Sequence, residues 1–490
     1  MKTLLTFVAV LLMVGCSTLR ELGIQEDAVD KLRRDIDATL PDSLFTATNA
    51  SILLKSLKTG EVLYERGSKL LMRPASNNKL LTSAAAIATF GRDFNFWTTV
   101  YVDTPIVQGT VFGNLYFKGF GNPDFKLADM DTLVMQLKAR GIRNVIGSVV
   151  ADESYFDDLS FGEGWMWDDE PFSYQAAITP LSVNDNCVNV CVIPGKNGGD
   201  SVAVIIEPRT SYVSYLNNAK TVTDTVRVPL TVSRMFQERL NIITIEGEML
   251  AGSDTVKTAI TVWQPGLYAA HLLHERLERD TVTILGVPTV GMISDRSVIM
   301  AEHQWPIDSV LTNLNKESDN LAAENVLKTL GVVTSGQPGT AKAGIQAAKA
   351  IFASFGIDTT RFRMVDGSGL SFYNLLTAEM LVQLLESIAK RPEFFRRLYE
   401  TLPIAGRDGT LKNRMRGTRA EGNLRAKTGT ISGVSALSGY VNSADGEPLV
   451  FSLLMQNFLL PNRYYRDVQD RIGALLASFS RNEKSVAAPP

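Results

Sequence analysis

The chain has 490 residues, of which 45% are hydrophobic and 21% charged, and its formal net charge at pH 7 is −3. This length is too great for one ordinary hydrophobic core, so two or three domains are expected. The composition is typical of a soluble globular protein, and the weakly negative charge gives no support for nucleic-acid binding.

The N-terminus has the features of an export signal that ends at a cysteine. Lys2 supplies a positive charge, and residues 4–14 form an apolar run that is too short to span a bilayer as a stable helix. The run ends in "VGCS", which is similar to a bacterial lipoprotein signal, although Met13 stands where such signals usually have leucine. We expect residues 1–15 to be removed, Cys16 to carry lipid and residues 16–26 to form a tether. Plain secretion with cleavage nearby is the alternative.

The remaining chain alternates between mixed and strand-rich regions. Residues 27–42 predict an amphipathic helix, two strand-like runs flank a hairpin turn at Thr59-Gly60, and a helix is expected from Pro74 to Gly91. Short strands dominate residues 93–299, interrupted by one helix at "GLYAAHLLHERLER". Helices return from about residue 298, strands follow from "LRAKTGT" to "FSLLMQN", a last helix fills 463–480, and 481–490 read as a disordered tail.

This order predicts an α+β protein with a discontinuous domain. Residues 27–92 and 300–480 are expected to fold together, interrupted by a β-rich insertion at 93–299 with one or two subdomains. No other stretch is long and apolar enough to span a membrane, so we expect attachment by the N-terminal lipid only, in the periplasm or cell envelope.

Two cysteines besides Cys16 lie in the strand-like segment "NCVNVCVIPG". On a straight strand Cys187 and Cys191 are about 13 Å apart, whereas a disulfide needs Cα atoms within about 7 Å. A metal site would need further ligands, and none are evident nearby. We therefore expect buried free thiols and no metal.

The first chemical candidate is the pair Ser76 and Lys79 in "RPASNNKLL". A spacing of three places both side chains on one face of a helix start, where backbone N–H groups favour developing negative charge. A lysine whose pKa is lowered by burial can take the proton of a neighbouring serine hydroxyl. The alternative is that Ser76 only caps its helix. A second Ser-x-x-Lys pair, Ser387 and Lys390, lies inside an amphipathic helix and is interpreted as solvent-exposed.

Two further motifs follow in order along the chain. Ser318-Asp319-Asn320 precedes a helix, and Lys427-Thr428-Gly429 opens an apolar strand. Ser-x-x-Lys, Ser-Asp-Asn and Lys-Thr-Gly together form a known catalytic signature. Other matches are rejected on their position: these are Lys58-Thr59-Gly60 in a hairpin turn, Ser182-Val183-Asn184 in the β-rich block and Ser480-Arg481-Asn482 in the tail.

With a long interval between its first two motifs, the chain resembles a class C low-molecular-mass penicillin-binding protein. This is the PBP4-type D-alanyl-D-alanine carboxypeptidase/endopeptidase family, or peptidase family S13. "GEGWMWDDEPFSYQAAITPLSVNDN" is similar to the family's insertion, and "NKESDNLAAENVLKTLG" and "VDGSGLSFYNLLTAEML" to its penicillin-binding domain. The resemblance covers nearly the whole mature chain. It implies a serine β-lactamase/transpeptidase-like domain with an antiparallel sheet flanked by helices.

The resemblance also implies a role for each motif residue. Ser76 is the expected nucleophile that forms an acyl-enzyme, and Lys79 is our choice for its base. Ser318 passes a proton to the leaving amine, and Asn320 holds Lys79 and the substrate amide. Lys427 steers the substrate carboxylate and helps to keep Lys79 neutral.

The strand that begins at Lys427 is expected to bind substrate through Thr428, Gly429 and Thr430. The hydroxyls of Thr428 and Thr430 face the terminal carboxylate. The N–H groups of Thr430 and Ser76 form the oxyanion hole, and each such donor is worth about 3–4 kcal/mol in the transition state.

We therefore expect a serine DD-peptidase without a cofactor. Its substrates are D-Ala-D-Ala termini or D-alanyl cross-links on peptidoglycan stem peptides, and β-lactams are its inhibitors. One alternative is a serine β-lactamase, but no E-x-x-L-N loop lies between the first two motifs. The other is a non-catalytic wall-binding scaffold, against which the intact motifs argue. The oligomeric state is not predicted.

Other reactive patterns carry less weight. The segment Asp366-Gly367-Ser368-Gly369 fails the G-x-S-x-G pattern and is interpreted as a structural loop near the site, with the role of Asp366 open.

The three histidines indicate no site. His271 and His274, with Glu275, lack H-E-x-x-H spacing and lie on an amphipathic helix, and a Ser-His-Asp triad with His303 is unsupported. Trp165 and Trp167 are expected in the core rather than on a sugar-binding surface.

Overall fold

The computed structural model of the protein describes residues 27–482. The predicted signal peptide, the lipidation at Cys16, the tether and residues 483–490 of the predicted tail lie outside the described residues. Within residues 27–482 there is no helix with the length and hydropathy needed to cross a membrane.

One antiparallel sheet joins the two ends of the described chain. Its five strands lie in the order β2-β1-β22-β21-β20, so the first two strands of the chain pair with the last three. The strands are β1 (Asn49–Ser56), β2 (Val62–Arg66), β20 (Arg425–Ile431), β21 (Val434–Asn442) and β22 (Pro448–Gln456). The predicted hairpin at Thr59-Gly60 is confirmed, because β1 and β2 pair on either side of it.

Helices cover both faces of this sheet, and alternate residues of its strands enter two separate cores. Leu454 and Ala436 face one helical layer, while Leu453 and Leu437 face the other. The smaller layer contains α1 (Ala28–Ala38), α2 (Asp42–Phe45) and α11 (Arg463–Ser478). The larger layer contains α3 (Lys79–Thr89), α6 (Ile307–Lys316), α7 (Asn320–Ser335), α8 (Ala341–Ser354), α9 (Ala378–Ala389) and α10 (Pro392–Thr401). The first predicted helix, 27–42, is broken between α1 and α2, where Pro41 starts the second helix.

The middle of the chain forms a separate set of sheets with its own hydrophobic core. The largest sheet has the order β18-β8-β6-β3-β19, and a four-stranded sheet has the order β17-β7-β5-β4. Their strands are β3 (Asn95–Val102), β4 (Ile106–Val107), β5 (Thr110–Val111), β6 (Leu115–Gly119), β7 (Asn144–Val145), β8 (Val149–Asp152), β17 (Thr283–Ile284), β18 (Thr289–Val290) and β19 (Val298–Pro306). The smaller sheets contain β9 (Cys187–Ile193), β10 (Ala203–Glu207), β11 (Ser214–Asn217), β12 (Lys220–Val222), β13 (Thr231–Arg234), β14 (Ile242–Glu246), β15 (Glu248–Leu250) and β16 (Val256–Thr261).

Two helices, rather than the one predicted, interrupt these strands. They are α4 (Leu127–Ala139) and α5 (Pro265–Arg279). The prediction of a single helix was wrong because α4 lies between β-rich runs, although Met130, Leu133, Val134 and Leu137 repeat with helical spacing and are buried.

The β-rich insertion extends further along the chain than the sequence pattern predicts. Helices were expected from about residue 298, but β19 occupies residues 298–306 and pairs with β3 along its length. The helices begin with α6 at Ile307. We therefore propose that the catalytic domain comprises residues 27–92 and 307–480, and that the insertion continues to Pro306 rather than ending at residue 299.

Two smaller predictions concern a strand and the C-terminus. Cys187 and Cys191 both lie on β9 and are free, which confirms that they do not pair; Cys187 is buried and Cys191 half-buried. Arg481, assigned from sequence to the tail, forms ion pairs with Glu447 and Glu61.

Candidate active site

Ser76 and Lys79 meet where a short turn leads into the buried helix α3. Ala75–Asn78 form one 3-10 turn, and α3 begins at Lys79. The Nζ atom of Lys79 donates to the Oγ atom of Ser76 at 3.1 Å, and the lysine side chain is fully buried. Ser76 makes no capping hydrogen bond, so the alternative interpretation of this serine as an N-cap is wrong.

The second motif lies at the start of α7. Asp319 caps this helix by accepting from the backbone N–H of Ala322, which places Asn320 in the first turn. The Oδ1 atom of Asn320 accepts from Lys79 Nζ at 2.5 Å, while its Nδ2 atom donates to the carbonyl of Tyr174 at 2.7 Å. A carbonyl of the insertion therefore orients the amide that contacts Lys79.

Lys427 connects the third motif to the second. Its buried Nζ atom donates to Ser318 Oγ at 2.8 Å and to the carbonyl of Thr428 at 3.0 Å. Ser318 has a φ of 63°, which is a strained conformation for a serine. It lies two residues before α7 begins at Asn320. Hydrogen bonds thus join Lys79 to Ser76 and Asn320, and Lys427 to Ser318, and the two lysines lie close enough for the charge of Lys79 to lower the pKa of Lys427.

Strand β20 carries Thr428, Gly429 and Thr430 at the edge of the sheet. Among the named strands it pairs only with β21; an isolated bridge joins Arg425 to Ile404 at the start of its other edge, while the described residues show no backbone pairing on that edge from Lys427 onward, and Thr430 is exposed. An unpaired strand edge can receive an extended peptide. Gly429 has a packing reason to be glycine, because a Cβ atom there would lie 2.7 Å from the carbonyl oxygen of Pro74, beside the turn that carries Ser76.

Burial shifts the acid–base properties of both lysines. It lowers the pKa of Lys79 to about 8, against the opposing effect of the nearby Asp366, Glu324 and Asp319 carboxylates. Burial, followed by the charge of Lys79, lowers the pKa of Lys427 well below its usual range. A pKa of about 8 leaves about a tenth of Lys79 neutral at pH 7, and the neutral form is the one that a general base requires.

A cavity of about 900 Å³ opens at Ser76. Asn320 and Thr430 line it beside the serine, and the insertion contributes Asp168 and Asp169. It is also lined by Met166, Tyr174, Gly369, Leu370, Phe372, Ile431, Ser432, Gly433, Phe458, Leu459, Leu460 and Asn462. Ser76 and Asn320 are therefore reached through a cleft lined by both parts of the chain.

Residues of the insertion also contact helix α7 beyond the second motif. Lys328 pairs with Asp157 at 2.5 Å, and Asn325 donates to the carbonyl of Thr179 at 3.1 Å. Asn313 donates both to Asp124 of the insertion at 2.6 Å and to Asp319 at 2.9 Å. Helices α6 and α7, which flank the second motif, are therefore both in contact with residues of the β-rich insertion.

The loop Asp366-Gly367-Ser368-Gly369 contacts the site, as a structural loop was expected to do. The carbonyl of Ser368 accepts from Lys79 Nζ at 2.8 Å. Asp366 organises the loop by accepting from the backbone N–H groups of Gly369 and Ser371, at 2.8 and 2.7 Å.

The two tryptophans and one glutamate lie where the sequence did not predict them. The indole of Trp165 donates to Asp366 at 3.1 Å, whereas Trp167 is 67% exposed, so its predicted place in the core is wrong. Glu324 was missed, although it follows Asn320 by one helical turn and accepts from the N–H groups of Gly367 and Ser368.

None of the rejected motif copies lines the cavity. Ser387 lies within α9 and donates to the carbonyl of Phe355, Ser182 donates to the carbonyl of Thr179, and Lys58 precedes the β1–β2 turn.

The histidines also lie away from it. His271 and His274 lie on α5, as predicted, and His303 lies on β19. Within residues 27–482 no group of three or more histidine, cysteine, aspartate or glutamate side chains is arranged to hold a metal ion.

Comparison with known proteins identifies the family. Residues 32–479 match the D-Ala-D-Ala carboxypeptidase 3 (S13) family. The chain belongs to this family. Membership confirms the predicted family and the predicted class of enzyme, a serine-type D-Ala-D-Ala carboxypeptidase.

Individual S13 relatives match over most of their length. A D-alanyl-D-alanine carboxypeptidase from Actinomadura sp. (strain R39) is 34% identical over 469 residues, covering 92% of this chain and 86% of the relative. D-alanyl-D-alanine carboxypeptidase DacB from Haemophilus influenzae is 26% identical over 420 residues, covering 85% and 86%.

Solved structures with the same fold agree. The crystal structure of penicillin binding protein 4 from H. influenzae has a TM-score of 0.82 and 24% identity, covering 91% of this chain and 99% of that one. Its complex with a novel β-lactam has a TM-score of 0.76 and 23% identity, covering 91% and 100%. At this identity the likeness shows the fold, which confirms the predicted fold class.

Proposed function

We propose that this enzyme hydrolyses D-alanyl-D-alanine bonds of peptidoglycan stem peptides through an acyl-enzyme on Ser76. The observation that carries the proposal is the 3.1 Å contact between Lys79 Nζ and Ser76 Oγ at the base of an open cavity. The buried lysine takes the hydroxyl proton as the serine oxygen attacks the carbonyl carbon of the penultimate D-alanine.

The other motif residues complete the reaction in this proposal. After attack, the proton reaches the leaving amine through Ser318, which is hydrogen-bonded to Lys427. Asn320 keeps Lys79 in place. The substrate lies along the open edge of β20, where Thr428 and Thr430 bind its carboxylate and the N–H groups of Ser76 and Thr430 stabilise the oxyanion. Water then hydrolyses the ester.

β-Lactams are expected to acylate the same serine. Their strained amide presents a carbonyl to Ser76, and a β-lactam complex of the H. influenzae protein supports this assignment for the shared fold. An edge strand and an open cleft also accept a longer peptide, so we include D-alanyl cross-links among the substrates.

The decisive experiment combines fluorescent penicillin with substrate turnover. We expect a stable covalent label on the tryptic peptide that contains Ser76, and release of D-alanine from a stem-peptide mimic. Absence of any label on the folded protein contradicts the proposal. A label that is lost within seconds favours a β-lactamase, and labelling without D-alanine release from monomeric peptide assigns the enzyme to cross-links alone.

The pH dependence of acylation reports the protonation of Lys79. Because the base acts in its neutral form and burial lowers the pKa of Lys79 to about 8, the neutral fraction rises about tenfold between pH 6 and pH 7. We expect the acylation rate constant to rise by about the same factor and to level off above pH 8. Stopped-flow measurement with a chromogenic β-lactam checks this, and a flat profile from pH 6 to 9 contradicts it.

We also propose that the protein is exported to the cell envelope and anchored by a lipid on Cys16. The support is the apolar run that ends at this cysteine. Replacing Cys16 with serine is expected to move the protein from the membrane fraction to the soluble fraction of the cell, as measured by immunoblot. An unchanged distribution contradicts the lipid anchor.

A further inference from the structure

Glu324 is a buried acid for which the mechanism above has no role. Its side chain lies on α7, one turn after Asn320, and is 1% exposed. No salt bridge joins it to a cation within residues 27–482. Burial of a carboxylate without such a partner is costly, so its retention next to the catalytic group calls for a local explanation.

The carboxylate of Glu324 instead holds the backbone of the neighbouring loop. Both of its oxygens lie 3.0 Å from the N–H group of Gly367, and Oε1 accepts from the N–H group of Ser368 at 2.7 Å. On the other side, Thr82 donates to the carbonyl of Gly367 at 2.6 Å. This short piece of chain is therefore fixed from two helices, α7 and α3.

The residue held in this way is the one that contacts Lys79. The carbonyl of Ser368 accepts from Lys79 Nζ at 2.8 Å, and the same Nζ atom contacts Ser76 and Asn320. Helix α7 therefore acts twice on the lysine. Asn320 contacts it directly, and Glu324, one turn later, contacts it through the loop.

The charges around Glu324 define its electrostatic effect. Asp366 faces it from the loop, Asp319 lies at the start of its own helix, Lys79 lies on α3 and Lys427 lies beyond on β20. Burial, followed by the charge of Asp366, raises the pKa of Glu324 to about 7. Above that pH its negative charge favours the protonated form of Lys79.

We propose that Glu324 is a positioning residue for acylation: it fixes Gly367 and Ser368 so that the Ser368 carbonyl holds Lys79 against Ser76, and its charge delays deprotonation of the lysine. The inference rests on the proposed function. Two properties of the Glu324 carboxylate matter here. One is its length, which lets it accept from two backbone N–H groups, and the other is its charge.

Two variants test these properties separately. Glu324→Gln keeps the size, removes the charge and places an NH2 group where Oε2 lies 3.0 Å from the Gly367 N–H. Glu324→Asp keeps the charge but is one methylene too short to reach the donors in the same way. For Gln, we expect acylation by the chromogenic β-lactam to fall about 10- to 100-fold at pH 8. The rising, acidic part of its pH–rate profile (the acid limb) is expected to move about one unit to lower pH, because the protonated form of Lys79 has lost a stabilising negative charge. For Asp, we expect a lower rate with the limb unchanged.

Controls separate the failure of this inference from the failure of the proposed function. Glu393→Gln makes the same charge change on the exposed start of α10 and is expected to match the unmodified protein. Equal loss of rate at every pH in the Gln variant, with an unmoved acid limb, overturns the electrostatic role. An Asp variant with the unmodified rate overturns the positioning role, and it decides that point even if the Gln variant does not fold. An unmodified protein that is never acylated overturns the proposed function instead.

Discussion

Replacing Ser76 with alanine is expected to abolish covalent labelling by fluorescent penicillin and to lower D-alanine release by at least about 10⁴-fold. The Oγ atom of Ser76, which accepts from Lys79 Nζ, is the proposed nucleophile, and the methyl group of alanine cannot form an ester. Intact-protein mass spectrometry after incubation with a β-lactam measures the adduct, and a coupled amino-acid assay measures turnover.

The chain supplies a matched control for this experiment. Ser387 belongs to the second Ser-x-x-Lys pair, and its side chain donates to the carbonyl of Phe355. We expect Ser387→Ala to keep both the label and the turnover of the unmodified protein. A full-strength adduct on Ser76→Ala contradicts the assignment of the nucleophile.

Replacing Lys79 with arginine is expected to lower the acylation rate constant by about 10²- to 10⁴-fold. Arginine keeps the positive charge but does not give up its proton at accessible pH, so it cannot act as the base. Stopped-flow acylation measures the effect, and Lys390→Arg, at the exposed end of α9, is the matched control. Because arginine is larger than this buried position allows without adjustment, Lys79→Ala is measured beside it, with a thermal unfolding curve for each variant. A folded Lys79→Ala variant that acylates within a few fold of the unmodified rate removes the lysine from the role of base.

Local sequence carried most of the information about the catalytic group. Each motif has short, fixed spacing, and each lies where a turn leads into a helix or where a strand begins, which propensity and capping rules identify. The order of the three motifs then separated Lys427 from Lys58, and the place of Ser182 inside the β-rich block separated it from Ser318. In the structure, Lys79 contacts Ser76 and Asn320, and Lys427 contacts Ser318, so the chosen copies of the three motifs lie at one site.

The missed features depend on contacts that leave little trace in sequence. The carbonyl of Tyr174 orients Asn320, and a backbone group gives no residue-type signal. Glu324 is a single acid on a largely apolar helix, and such an acid is expected from sequence to face solvent. Its contact with the loop appears only in the folded structure. Strand β19 was assigned to the helical region because its pairing with β3 spans the whole insertion.

The pairing of the first and last strands has a consequence for how the enzyme is assembled. Strand β1 pairs with β22 from Asn49 opposite Gln456 to Ser56 opposite Leu449, so the central ladder of the sheet closes only after nearly the whole chain is present. Contacts of such sequence separation form late, because the entropy of closing the intervening loop must be overcome first. The insertion, whose sheets close within residues 95–306, can fold before that ladder exists. An incomplete chain thus holds Ser76 without the strand that carries Lys427, and the ability to cut the wall arises only when synthesis and transport of the chain are almost finished.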